Sequence, residues 1–206
     1  MLTIRNIALA TAAPLVLAVA GLAHPHGLFR STASEWTRLH IALLPLFPLL
    51  TVGLLIPLWH RPRPGLAGLA GLATVVAWAG AFGYAVFYTG LDAVAGIAAG
   101  TAVGHAGPTA SLGPVKRPLY DIGELLGHVG VYALIGAIAA TAVALFPEHG
   151  VRVLPGTVIL LGAGWSFIDS HIFWPRGVWT MAGFALGFAL LTWGTAVKRV
   201  SPSRAA

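Results

Sequence analysis

The sequence contains no cysteine, and this absence removes several classes of site at once. Disulfide bonds, thiolate metal sites, cysteine-ligated iron–sulfur clusters and c-type haem attachment are all excluded. Methionine occurs only twice in 206 residues, so a thioether-rich Cu(I) site is not indicated. Any metal chemistry in this chain must therefore use histidine and carboxylate side chains.

Charged residues are also scarce, at 9% of the chain against 57% hydrophobic residues. A soluble domain carries about 25% charged residues, so a water-soluble fold of this size would lack the charges to cover its surface. Several apolar runs of about 20 residues match the length that crosses a bilayer as a helix. We therefore predict an all-α fold, a polytopic integral membrane helix bundle whose first partner is the lipid bilayer.

The apolar runs predict a single transmembrane domain over residues 1–206. Its six transmembrane helices are expected at about 7–23, 36–59, 66–89, 122–146, 156–173 and 178–197. The first run is predicted to be an uncleaved helix, with a signal peptide cleaved after Ala23 as the alternative. Pro45 and Pro48 are expected to kink the second span.

A further apolar piece follows Gly90, where a break is expected. Residues 91–106 would form a helix of about 24 Å at 1.5 Å per residue, which is shorter than the hydrocarbon core of about 30 Å. We predict a short re-entrant or interfacial helix, with a short true span as the alternative.

The distribution of basic residues predicts that both termini are cytoplasmic in a multi-pass protein of the cell membrane. The positive-inside rule favours the side with more Lys and Arg. Six spans with a cytoplasmic N-terminus place seven of the twelve inside: Arg5, Arg61, Arg63, Arg152, Lys198, Arg199 and Arg204. The net charge of +6 is therefore read as an orientation signal, and nucleic-acid binding is not expected.

The same topology collects most of the histidines at the outer boundary. Six of the eight are predicted to lie there: His24, His26, His40, His105, His128 and His171. Five of the six acids fall on the same side: Glu35, Asp92, Asp121, Glu124 and Asp169. This layer is the most informative feature of the sequence, and any site chemistry is expected within it.

The first functional hypothesis is an outward-facing transition-metal site for copper or zinc, since imidazole suits both ions. The predicted metal ligands are His40, His128 and His171, with Asp169 or Glu124 as a ligand or as the hydrogen-bond partner of one. Glu124 and His128 are four residues apart and share a helix face. A carboxylate beside a histidine orients the ring at many metal sites.

Three other hypotheses remain open. A bis-histidine haem b would need axial ligands from two helices at similar depth, such as His40 and His128, with His105 or His171 as substitutes; the chain would then be an electron-transfer subunit. A non-catalytic scaffold or assembly subunit would pack against other membrane subunits through its Gly and Ala faces. A transporter would use Asp169, the one candidate for an ionisable residue deep in a span.

Overall fold

The computed structural model describes residues 2–59 and 68–196, and all regular structure in these ranges is helical. The α-helices are α1 (Leu2–Ala23), α2 (Ala33–Leu43), α3 (Val52–Trp59), α4 (Leu69–Leu91), α5 (Ala99–His105), α6 (Leu112–His149), α7 (Leu154–Ser170) and α8 (Arg176–Ala196). Some predictions lie outside the described residues. They concern His60, Arg61, Arg63, Lys198, Arg199, Arg204 and the outermost residues of the spans at 66–89 and 178–197.

Within residues 2–59 and 68–196, five stretches are long and apolar enough to cross a membrane: Thr3–Ala23, Ala33–Trp59, Leu69–His105, Leu112–Ser170 and Arg176–Ala196. Large apolar side chains point outward along them, including Ile4, Phe82 and Trp165, each more than 70% exposed. Hydrocarbon is the solvent in which such a surface is stable. The helical membrane bundle predicted from composition agrees with this architecture, although five stretches stand where six spans were expected.

The longest stretch, Leu112–Ser170, contains the two predicted spans 122–146 and 156–173. A 3₁₀ turn over Gly150–Val153 separates α6 from α7, and Gly150 has a φ of 60°, a conformation that glycine adopts without a Cβ penalty. A Cβ on Gly164 of α7 would contact Ile135 and Ile138 of α6. The two helices therefore pack side by side as a hairpin.

The second stretch is interrupted where its prolines were expected to kink it. Helix α2 ends at Leu43, a 3₁₀ turn covers Pro48–Thr51, and α3 begins at Val52. Proline lacks the amide proton that an α-helix needs at these positions. The change of direction places α2 at one end of the bundle, next to the residues that follow α4.

The helix does not break at Gly90. Helix α4 continues through a π-helical segment, Asp92–Ala98, into α5. The separate short helix predicted over 91–106 is therefore not seen; these residues extend the third long helix instead. A single glycine within a helix costs only about 1 kcal/mol, and packing against α2 and α6 offsets it.

Small residues let the central helices approach closely, as expected for a membrane bundle. Helices α4 and α6 run antiparallel, with Gly80 against the carbonyl of Ala133 and Gly130 against the backbone of Tyr88. Helix α8 packs against both α1 and α7, and Gly21 of α1 lies against the carbonyl of Ile172. These contacts bring the end of α1, the start of α2 and the end of α7 together.

Candidate metal centre

Three histidines from separate parts of the chain meet at one end of the bundle. His24 follows α1, His40 lies in α2 and His171 follows α7. Each offers one ring nitrogen, and these three nitrogens lie within 4.8 Å of one another. Among residues 2–59 and 68–196, this is the group of histidine and acidic side chains with metal-ligand spacing.

Hydrogen bonds fix the nitrogen that two of these rings present. His24 Nδ1 bonds to the carbonyl oxygen of Pro25 at 2.9 Å, and His40 Nδ1 bonds to that of Trp36 at 2.7 Å. A carbonyl oxygen only accepts, so each Nδ1 carries the proton and each neutral ring has its lone pair on Nε2. Metal-ligating histidines are generally held in this way.

The third ring also has a hydrogen-bond partner at Nδ1, in this case a hydroxyl group. His171 Nδ1 lies 2.7 Å from the hydroxyl oxygen of Tyr88, a group that both donates and accepts. His171 itself has a φ of 43°, because α7 ends there and the chain turns towards α8. The turn directs the imidazole back over the bundle, where its ring lies 6.2 Å from that of His40 and nearly parallel to it, at 5°.

Burial keeps these imidazoles in the neutral form that a metal ion requires. His24 is 4% exposed and His40 is 3% exposed. Burial lowers the pKa of His24 to about 4, with a smaller contribution from neighbouring His40, while the bond to Pro25 opposes the shift. Burial also lowers the pKa of His171 well below its usual value, with smaller contributions from neighbouring His40 and His24.

One buried nitrogen in the cluster lacks a partner. His24 Nε2 is inaccessible to solvent and has no hydrogen-bond partner among the described residues. Leaving such a group unpaired costs about 1–3 kcal/mol. Because a lone pair on Nε2 is also what a metal ion would use, the donor set fits a cation held between the three rings.

Aromatic side chains enclose the cluster on the remaining sides. The ring of Phe173 lies 4.5 Å from that of His24, and Trp36 stacks on His40 at 4.9 Å. Phe47 stacks on His171 at 5.2 Å. These apolar walls limit the rotation of the imidazoles and lower the local dielectric, which strengthens any interaction with a charged ligand.

The loop that carries His24 is held from both sides. Lys116 Nζ donates to the carbonyl oxygen of Leu28 at 3.0 Å, and Arg30 donates to that of Gly107 at 2.8 Å. Thr32 Oγ1 closes the loop by donating to Gly27 at 2.8 Å. His24 is therefore positioned by contacts from α6 and from the segment after α5, not by its own helix alone.

A cavity of about 520 Å³ lies beside the cluster, and His40 and His171 form part of its wall. The other residues predicted as metal ligands, Glu124, His128 and Asp169, also line it. His128 Nε2 lies 4.0 Å from Asp169 Oδ1, and these side chains are 31% and 66% exposed. They form a polar wall of the cavity, outside the three-histidine group.

The structure thus brings His40 and His171 together and places His128, Asp169 and Glu124 around the same cavity. His26 lines it as well, so five of the six histidines predicted to share one side lie in the three-histidine group or along the cavity. His105 is exposed and bonds to Thr101 of its own helix. The predicted ligand set did not include His24, which the structure places beside His40 and His171.

No protein-family model, curated protein or solved structure matches this chain. Fold and site together define a helical membrane bundle with a three-histidine cluster at one end, in which two of the rings are buried.

Proposed function

We propose that this protein binds one first-row transition-metal ion, copper or zinc, between His24, His40 and His171. The observation that carries the proposal is the convergence of three ring nitrogens within 4.8 Å, in rings whose Nδ1 atoms are each hydrogen-bonded. Neutral imidazole is a good ligand for both ions. A three-histidine set leaves a further coordination position, as in zinc sites that also bind water or a substrate.

The cavity supports access to this position from the surface. His40 and His171 contribute to its wall, and Glu124 and Asp169 add carboxylates along it. A cation approaching the buried cluster would pass these groups first. In this proposal His128, Glu124 and Asp169 line the route, and His24, His40 and His171 hold the ion.

A haem b is less well supported by the same geometry. His40 and His171 have parallel rings, as axial ligands often do, but a macrocycle needs a wide flat space between them. The ring of His24 lies 5.1 Å from His40 and 6.0 Å from His171. Phe47 and Tyr88 also stack close to His171. The packing favours a bare ion.

Metal titration of the purified full chain in detergent tests the proposal. The wild type is expected to bind one Cu²⁺ or Zn²⁺ per chain and to show no Soret band. His24→Ala should weaken binding by at least about 10-fold, since even outer hydrogen-bond partners of metal ligands cost that much. His105→Ala, an exposed histidine at the same end, should bind as the wild type does. A wild type that binds neither ion, or a stoichiometric Soret band, would overturn the proposal.

We further propose that α6 and α7 each cross the bilayer, which gives six spans in the cell membrane with both termini cytoplasmic and the metal centre outside. The turn at Gly150–Val153 supports this, because it reverses the chain between the two helices. Other membrane subunits are proposed partners, and the exposed apolar side chains of the helices are compatible with such contacts.

The absence of cysteine makes this topology directly testable. Single replacements Thr109→Cys, in the loop after α5, and Val151→Cys, in the turn after α6, lie at opposite ends of the bundle and are exposed. A membrane-impermeant thiol reagent should label Thr109→Cys in intact cells and Val151→Cys only after lysis. Labelling of both positions in intact cells, or the reverse pattern, would contradict the proposed orientation.

A further inference from the structure

Asp92 is a fully buried carboxylate with no hydrogen-bond partner. Its exposure is 0%, and both carboxylate oxygens are unpaired among the described residues. It begins the π-helical segment after α4, within a stretch long and apolar enough to span a membrane. Ionisable residues in such positions are costly and usually functional, so this carboxylate requires an explanation.

Asp92 lies beside Nε2 of a proposed metal ligand, His40. Asp92 Oδ1 lies 3.8 Å from His40 Nε2, which is too far for a hydrogen bond. Because His40 Nδ1 donates to the carbonyl of Trp36, the neutral ring presents a lone pair on Nε2. An ionised Asp92 would then place two acceptors against each other in a buried site, an arrangement that a cation between them would stabilise.

The separation of these two atoms suits a shared ion. Zinc binds nitrogen and carboxylate oxygen at about 2.0–2.2 Å, so two ligands of a tetrahedral ion lie roughly 3.4 Å apart. The observed 3.8 Å needs only a small adjustment of the side chains. Asp92 is thus close enough to bind the same ion as His40.

Charge gives a second reason for a carboxylate here. Three neutral imidazoles bring no negative charge to a divalent cation, and an uncompensated charge in a buried site is strongly unfavourable. The acids lining the cavity mouth, Glu124 and Asp169, are exposed to solvent. Among the described residues, Asp92 is the buried carboxylate that lies beside His40, and it would offset one of the two charges.

The helix is shaped to bring Asp92 and His40 together. A Cβ on Gly96 would overlap the ring of His40, so glycine is required for this close approach. The π-helical turns leave the carbonyl of Ala95 accessible, and Trp36 Nε1 donates to it at 3.4 Å. π-Helical turns occur frequently at functional sites, and this one begins at Asp92 and packs against His40 through Gly96.

We propose that Asp92 is the fourth protein ligand of the ion held by His24, His40 and His171, so that the centre binds a divalent ion in preference to Cu(I). This inference rests on the proposed metal-binding function and adds its carboxylate and its charge selectivity.

Asp92→Asn tests it, because the amide keeps the shape of the side chain and removes its charge. We expect the affinity for Cu²⁺ and Zn²⁺ to fall about 10- to 100-fold, with a smaller change for Cu(I). The electron paramagnetic resonance spectrum of bound Cu²⁺ should also change. Asp92→Glu should recover part of the divalent affinity, and Asp121→Asn, an exposed acid on α6 outside the cavity, is the matched control.

A readout on the wild type keeps the test independent of how the variants fold. Zn²⁺ addition should shift a carboxylate stretching band in the infrared difference spectrum, and the shift should be absent from Asp92→Asn. The proposed role of Asp92 is wrong if the wild type binds the ion without this shift. It is also wrong if Asp92→Asn keeps both the wild-type Cu²⁺ affinity and the wild-type spectrum. Neither result contradicts the three-histidine site. A wild type that binds no ion overturns both proposals.

Discussion

His40→Ala is expected to reduce the affinity for Cu²⁺ and Zn²⁺ by more than about 100-fold, beyond the loss caused by removing an outer hydrogen-bond partner. His40 is central to the cluster, because its ring contacts those of both His24 and His171. Its Nε2 also lies 3.8 Å from Oδ1 of Asp92. Removing this ring therefore deletes the ligand that lies between the other two histidines and Asp92 in this set of contacts.

The measurement is a competition titration of the purified variant against a chelator of known affinity, with gel filtration to confirm the folded state. His128→Ala is the discriminating comparison. The sequence pattern predicts His128 as a ligand, whereas the geometry places it across the cavity beside Asp169. Retained binding in His128→Ala would favour the cluster of His24, His40 and His171, and its loss would favour the set predicted from sequence.

Gly96→Ala is expected to produce a loss of comparable size without removing any ligand. The added methyl group would overlap the Cβ and ring of His40, and overpacking of this kind costs about 1–3 kcal/mol or forces the backbone to move. Either response displaces His40 from Asp92. Small displacements are serious for a metal site, because ligand distances must hold within about 0.2 Å.

Gly136→Ala provides a control with the same chemical change. Gly136 lies in α6, and a Cβ there would meet nothing within 4 Å, so the substitution should leave metal affinity unchanged. Helical content from circular dichroism should be similar in both variants. Wild-type affinity in Gly96→Ala would show that His40 does not need its present position, and the proposed centre would then be incorrect.

The class of fold could be predicted because a helix that crosses hydrocarbon must be apolar and about 20 residues long. Both properties can be read directly from the sequence. The gathering of histidines at one end also followed from the sequence, since the end of one helix and the start of the next lie on the same side. The order of spans therefore brought His24, His40 and His171 to a common level. The side of the membrane on which they lie stays a prediction.

The ligand set itself could not be derived in this way. Side chains at the same depth in the bundle are not necessarily in contact. The contact between His24 and His40 depends on the loop that Lys116 and Arg30 hold in place. Asp92 was placed at a helix break after Gly90, but the helix continues and turns that carboxylate towards α2. Periodicity contains no signal for the π-helical segment that achieves this.

The three imidazoles come from the exit of the first helix, from the second helix and from the turn between the last two. An ion bound by all three would link the N-terminal and C-terminal parts of the chain, and the link would be lost when the ion dissociates. A ligand that binds only the native state at 100 times its dissociation constant adds about 2.7 kcal/mol to that state. The lifetime of this protein in its membrane would then depend on the local concentration of the ion. Depletion of the ion would lower the free energy of unfolding of the bundle.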